Sequence, residues 1–240
     1  MDERLCRVTG ESEVFHLRMT DKYSYIKSLF EHHADSSAAS SMSAYMKNQF
    51  LFYGIAAPVR KALYNEFIKA EKKQKVIDWA FLDECYANEH REFQYLVYDY
   101  LLSMKKYVTY GDLTRIKEYI TTKSWWDTVD LLCKVIGDVS LRDKRVKTLM
   151  ISWSQDENIW LKRAAIQHQM SLKDKTDAEV LEKTIKNSLG SSEFFVNKAI
   201  GCALRDYAKS NPEWVAEFLS RYRDALSPLS GKEAGKYLPK

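Results

Sequence analysis

The chain has 240 residues, 28.0 kDa, 45% hydrophobic residues, a net charge of +4 and a pI near 8.7. Glycine (8) and proline (4) together make up about 5% of it, against a usual share of roughly 12%, which argues against turn-rich sheets and sandwiches and for an all-α chain. No apolar run approaches the ~20 residues a membrane span requires, and the first residues lack a signal-peptide core, so a soluble, cytoplasmic protein is expected.

In chain order, residues 1–20 read as an appended N-terminal extension and 21–238 as a single repeat domain. YSYIKSLFEHH (23–33) carries the apolar spacing of a half-buried helix. DSSAASSM (35–42) is polar and small, a connection or a helix start. SAYMKNQFLF (43–52), APVRKALYNEFIKA (57–70), FQYLVYDYLLSM (93–104) and EWVAEFLSRY (213–222) show helical spacing again. Pro58 and Pro212 suit first helical turns, and Asn211 suits the cap position before Pro212.

Laid over itself, the chain repeats. REFQYL (91–96), SWWDTV (124–129), NIWLKRA (158–164) and EFFVNKA (193–199) align on Phe93, Trp126, Trp160 and Phe195, about 33, 34 and 35 residues apart. A period in the thirties with helix–turn–helix content predicts a HEAT-like α-solenoid, a superhelix of antiparallel helix pairs whose second helices line a concave, basic groove. Lys198 follows Phe195 by three residues, as Arg163 follows Trp160. Lys47, Arg60, Lys61, Arg91, Arg205 and Lys209 extend the expected basic stripe.

The four cysteines, Cys6, Cys85, Cys133 and Cys202, stand far apart with no CxxC pair, and His32 and His33 point about 100° apart on a helix, so no metal site is expected. Phosphate-loop, dinucleotide and nucleophile-elbow motifs are absent, and no cofactor is expected.

Trp126 and Asp130 lie four apart on one helical face, where they can address one ligand. A repeat-position tryptophan also packs between layers, a reading that applies to Trp125 still more strongly. Asp130 also suits a cap or a pairing with a neighbouring arginine. Its alignment with the apolar Ala164 and Ala199 marks it as a charge where other copies have none.

YMKNQFLFYGIAAPVRK (45–61), REFQ (91–94), TKSWWDTVD (122–130), NIWLKRAAI (158–166), SSEFFVNKAIG (191–201) and LRDYAKSNP (204–212) resemble, in order and spacing, the AlkD-type family of DNA alkylation repair glycosylases, over roughly residues 22 to 235. The resemblance implies a monofunctional glycosylase hydrolysing the N-glycosidic bond of cationic N7- and N3-alkylated purines in duplex DNA, without drawing the base into a pocket. It places the catalytic pair on Trp126 and Asp130, a groove arginine on Arg163 and an N-terminal groove tyrosine on Tyr45. At the family's second groove tryptophan this chain has Cys202. Lys198 and Cys202 complete the expected DNA-binding set, with alkylated duplex DNA as partner and a monomer as the working form. Two other readings stay open: a non-catalytic or weakly active paralogue that binds DNA through the same surface, and a scaffold for a protein partner.

Overall fold

The structure, a computed structural model, describes residues 22–238. The N-terminal extension and Cys6 lie outside the described residues. The described residues fall into two compact units, 22–104 and 105–238. Regular structure among the described residues is helical, with one isolated bridge between Leu51 and His90. No described helix is long and apolar enough to cross a membrane.

The first unit contains α1 (Lys22–His32), α2 (Ser36–Tyr45), α3 (Ala57–Gln74), α4 (Trp79–Ala87) and α5 (Arg91–Met104). DSSAASSM proves to be a helix start: the Asp35 carboxylate accepts hydrogen bonds from the N–H groups of Ser37 and Ala38 and caps α2. SAYMKNQFLF, expected to be helical over 43–52, is helical only as far as Tyr45. The helix ends at Tyr45, and Lys47 and Asn48 take φ of 59° and 56°, a left-handed conformation that a right-handed helix cannot continue through. The following loop is held by the buried Glu92 carboxylate, which accepts from the N–H groups of Tyr53, Gly54 and Ile55 at 2.9–3.2 Å. Gly54 is obligatory there: its φ is +90°, and a Cβ would lie 2.1 Å from the Asp35 carbonyl oxygen.

Two arginines expected in a basic stripe are instead core residues of this unit. Arg60 donates to the Tyr64 and Tyr98 hydroxyls and lies 4.4 Å from the Tyr95 ring centre. Arg91 stacks 3.7 Å from the centre of the Phe50 ring and is fully buried. Lys61 pairs with Asp99.

The second unit is a run of helix pairs: α6 (Leu113–Thr121) with α7 (Trp126–Ser140), α8 (Arg145–Trp153) with α9 (Ile159–Gln167), α10 (Ala178–Lys186) with α11 (Phe194–Tyr207), and α12 (Pro212–Arg221) with α13 (Pro228–Ala234). This is the helical repeat architecture that the period predicted. Side-chain caps start several of these helices, from Asn158, Asp177, Asn211 and Ser227. The second helices α7, α9 and α11 pack in a row, α9 touching both neighbours, and α8 and α10 pack together as first helices. Ile166, Leu181, Ile185, Val196, Ile200, Leu204, Val215 and Phe218 belong to one apolar cluster between the layers. Burying such side chains stabilises by about 1.5 to 3 kcal/mol each.

Candidate functional site

The N-terminal ends of α7, α9 and α11 come together. Trp125, the residue before α7, packs on Trp160 and Phe195 with ring centres 5.8 and 5.0 Å away, and those two rings are 4.8 Å apart. The three aromatics tie the helix starts into one corner. Trp125 is therefore a packing residue, though half-buried, and its buried indole N–H finds no acceptor among the described residues.

This corner corrects the repeat register. Trp126, Ile159 and Phe194 are the first residues of α7, α9 and α11. The fifth residues are Asp130, Arg163 and Lys198; the ninth are Lys134, Gln167 and Cys202. Trp125, rather than Trp126, is the partner of Trp160 and Phe195. Asp130 accordingly matches two cations instead of Ala164 and Ala199, and the suspicion raised by apolar counterparts falls away. What replaces it is an acid set beside a base at the same level of the next helix.

That base is bonded to it. Arg163 Nε donates to Asp130 Oδ1 at 2.7 Å and Nη2 donates to Oδ2 at 2.8 Å, a two-pronged pair, while Nη1 donates to the Phe195 carbonyl at 2.8 Å. The arginine is 4% exposed and the aspartate side chain 35%. The guanidinium, expected as a contact to DNA backbone, is turned inward onto the carboxylate and lies 5.9 Å from the Phe195 ring centre. Burial pushes the Asp130 carboxyl above the usual aspartate range, Arg163 pulls it back, Asp127 adds to the upward push and Lys134 to the downward one.

Trp126 is half-buried one turn before Asp130 on the same face. Asp127 turns away and is buried in the first turn, its carboxylate accepting from the Thr128 N–H. Phe194, at the Trp126 position of α11, is 59% exposed and meets Phe195 edge-on at 5.3 Å. The corner thus offers one partly exposed carboxylate, with the Trp126 ring on the same helix and the exposed Phe194 ring on α11.

Lys198 and Cys202 lie further along α11. Lys198 pairs with Glu233 of α13 at 2.8 Å, and the half-buried Cys202 receives a contact from Arg205 Nη2 at 3.6 Å. Lys209 pairs with Asp206. Tyr45, the last residue of α2, belongs to the first unit and is 70% exposed. Sequence reasoning missed Glu233, whose only trace is its position in an unremarkable lysine-rich tail, and missed Phe194, which the helix-start spacing alone would have brought into line with Trp126.

The family described as "DNA alkylation repair enzyme" matches residues 26–238. Among solved structures, the chain is similar to one described as a predicted DNA alkylation repair enzyme from Enterococcus faecalis. The two are 34% identical with a TM-score of 0.79, and the likeness covers 86% of this chain and 97% of that one. A search of curated proteins finds no match.

Proposed function

The chain belongs to the DNA alkylation repair enzyme family, and on that premise we propose that it is a monofunctional glycosylase releasing cationic N7- and N3-alkylated purines from duplex DNA by hydrolysis. The observation that carries this reading is the Asp130 carboxylate, held from behind by Arg163, open to solvent over about a third of its side chain and one turn from the Trp126 ring.

The chemistry suits so sparse a site. When the C1′–N bond of a cationic purine breaks, both bonding electrons go to the base, which leaves neutral and needs no acid. Positive charge then grows on the sugar until water adds at C1′ and loses a proton to solvent. The protein's part is to stabilise that charge. A fixed carboxylate does so electrostatically, on the scale of about 2.7 to 4 kcal/mol for one preorganised group. An aromatic face adds about 0.5 to 2 kcal/mol. Two hydrogen bonds from Arg163 fix the carboxylate's orientation, so Arg163 is a positioning residue, and each Asp130 oxygen keeps a lone pair for the substrate.

One observation favours a second reading: Arg163 already neutralises Asp130, as in a protein that binds duplex DNA without cutting the glycosidic bond. Incubating the protein with a duplex carrying 7-methylguanine and measuring free base separates the two. Release well above the spontaneous rate supports the glycosylase; release at the spontaneous rate with retained duplex binding leaves the second reading.

A further inference from the structure

A cavity of about 360 Å³ opens in the second unit where α7 and α9 end and α8 and α10 begin. It is remote from the aromatic corner, because Ser140 in its lining closes the helix that carries Asp130, about 15 Å further along α7. The walls are fixed. Gly137 lets α7 press on the end of α9, since a Cβ there would lie 2.2 Å from the His168 carbonyl oxygen. Gln169 holds the start of α10: its amide N–H donates to the Asp177 carbonyl at 3.1 Å, and its side-chain oxygen accepts from the Asp177 N–H at 2.8 Å. The Asp177 carboxylate in turn caps α10 and pairs with Lys147 of α8.

The lining combines two chemistries. The starts of α8 and α10 bring cations: Lys144, Lys147 and Lys175 stand against the single Asp177 carboxylate, a surplus of two positive charges. Only Lys147 is paired; the Lys144 and Lys175 ammonium groups meet no acceptor among the described residues. Lys144 also occupies the cap position of α8, where the positive helix end favours an acid over a base. The end of α9 brings an acceptor. His168 is 2% exposed, and its Nδ1 lies 2.7 Å from the Ala165 carbonyl oxygen, a hydrogen bond that requires the proton on Nδ1. The neutral ring therefore carries its lone pair on Nε2, which has no partner among the described residues. A buried acceptor left without a donor is costly until one reaches it. Leu141, Leu172 and Val180 add apolar surface to the lining.

We propose that this cavity binds a nucleoside monophosphate, its phosphate held by Lys144, Lys147 and Lys175 and an N–H or O–H of its nucleoside donating to His168 Nε2. A phosphomonoester carries close to two negative charges at neutral pH, which matches the surplus in the lining. The nucleoside supplies both the donor that His168 lacks and a ring to cover Leu141, Leu172 and Val180. A bare anion would answer the lysines alone, and a neutral nucleoside would leave them without an acceptor. The volume falls in the range of roughly 300–1,000 Å³ of small-molecule sites. The site shares no residue with the Asp130 corner or with the expected DNA-binding set, and it stands whether or not Asp130 acts on DNA.

Calorimetric titration of the full-length protein with the four 2′-deoxynucleoside 5′-monophosphates, the matching nucleosides and inorganic phosphate tests this. At least one nucleotide should bind, about tenfold or more tightly than its nucleoside or phosphate alone, and with the same affinity when the protein is saturated with undamaged duplex. The double variant Lys144→Ala/Lys175→Ala, changed at two exposed positions, should lose about tenfold or more in nucleotide affinity. His168→Phe keeps a ring and removes the acceptor, so it should weaken nucleotide binding and leave that of inorganic phosphate unchanged. If His168→Phe does not fold, the lysine variant decides. Inorganic phosphate bound as tightly as the nucleotide would make this a bare-anion site and overturn the proposal. So would displacement of the nucleotide by duplex, unchanged nucleotide affinity in the lysine variant, or no binding of any of the four nucleotides by the wild type at millimolar concentration.

Discussion

Arg163 and Asp130 occupy the same level of adjacent second helices, 33 residues apart, and meet through two hydrogen bonds of 2.7 and 2.8 Å. The partners are unequally buried: the arginine is almost wholly inside, while a third of the aspartate side chain faces solvent. The pair therefore has an inner structural end and an outer chemical end.

Removing the two partners should have unequal costs. Asp130→Ala strands a buried guanidinium and should destabilise by about 3 kcal/mol or more, the scale of breaking a buried pair from one side. Arg163→Met keeps most of the packing volume and leaves a carboxylate that can hydrate, so about 1 to 2 kcal/mol is expected, partly from the orphaned Phe195 carbonyl. Chemical denaturation of both variants checks the order. A larger cost for Arg163→Met would place the structural burden on the arginine.

Acid should silence excision earlier than an ordinary aspartate would. The ionised form of Asp130 is the one that stabilises positive charge, and burial raises its pKa against the pull of Arg163. As pH falls the carboxyl takes up a proton and the rate declines, with a midpoint above the usual aspartate range. The rate profile of single-turnover base release measures this, and Asp130→Asn should lack that limb.

Stability should also fall with acid, for a separate reason. His168 is buried, and burial holds its pKa down to about 4 from the usual 6.5, although the bond from its ring to the Ala165 carbonyl at 2.7 Å and the charge of Asp177 oppose this. Between those two values the unfolded chain binds a proton that the folded one refuses, so stability is full above about 6.5 and drains away towards 4. The shift corresponds to roughly 3 kcal/mol at most. Denaturation curves at pH 7 and pH 5, for the wild type and His168→Gln, should differ mainly in the wild type.

Trp125 offers a test of the aromatic corner. Trp125→Ala should cost about 3 kcal/mol by emptying the space between Trp160 and Phe195. Trp125→Phe should cost about 1 kcal/mol or less, because the indole N–H it deletes makes no bond among the described residues. Similar large losses in both variants would mean that the N–H is satisfied by a partner such as water.

Much of this architecture could be read in the sequence. Pro58, Pro212 and Asn211 mark helix starts through local chemistry, and all three act where expected. The repeat period was visible because α7, α9 and α11 each carry an aromatic within their first two residues. The register was not, since the double aromatics WW and FF fit equally well one residue apart and only the contact of Trp125 with Trp160 and Phe195 decides. The helix expected through residues 43–52 failed beyond Tyr45 because apolar spacing at Met46 and Phe50 is as compatible with a loop packed on Glu92 as with a helix. Charge was the least legible feature. Arg60, Arg91 and Arg163 look like surface residues in the sequence, and each is buried by a partner distant along the chain, tyrosines for Arg60, Phe50 for Arg91 and Asp130 for Arg163.

The central claim is that the Asp130 carboxylate stabilises positive charge at the sugar of a cationic lesion. Single-turnover release of 7-methylguanine from duplex DNA by the wild type and by Asp130→Asn, both shown to be folded and to bind DNA, tests it most directly. Asparagine keeps the shape and one acceptor for Arg163 but not the charge. The account predicts wild-type release well above the spontaneous rate and a loss of about a hundredfold or more in the variant. Equal release by the two proteins, whether both fast or both at the spontaneous rate, would contradict it.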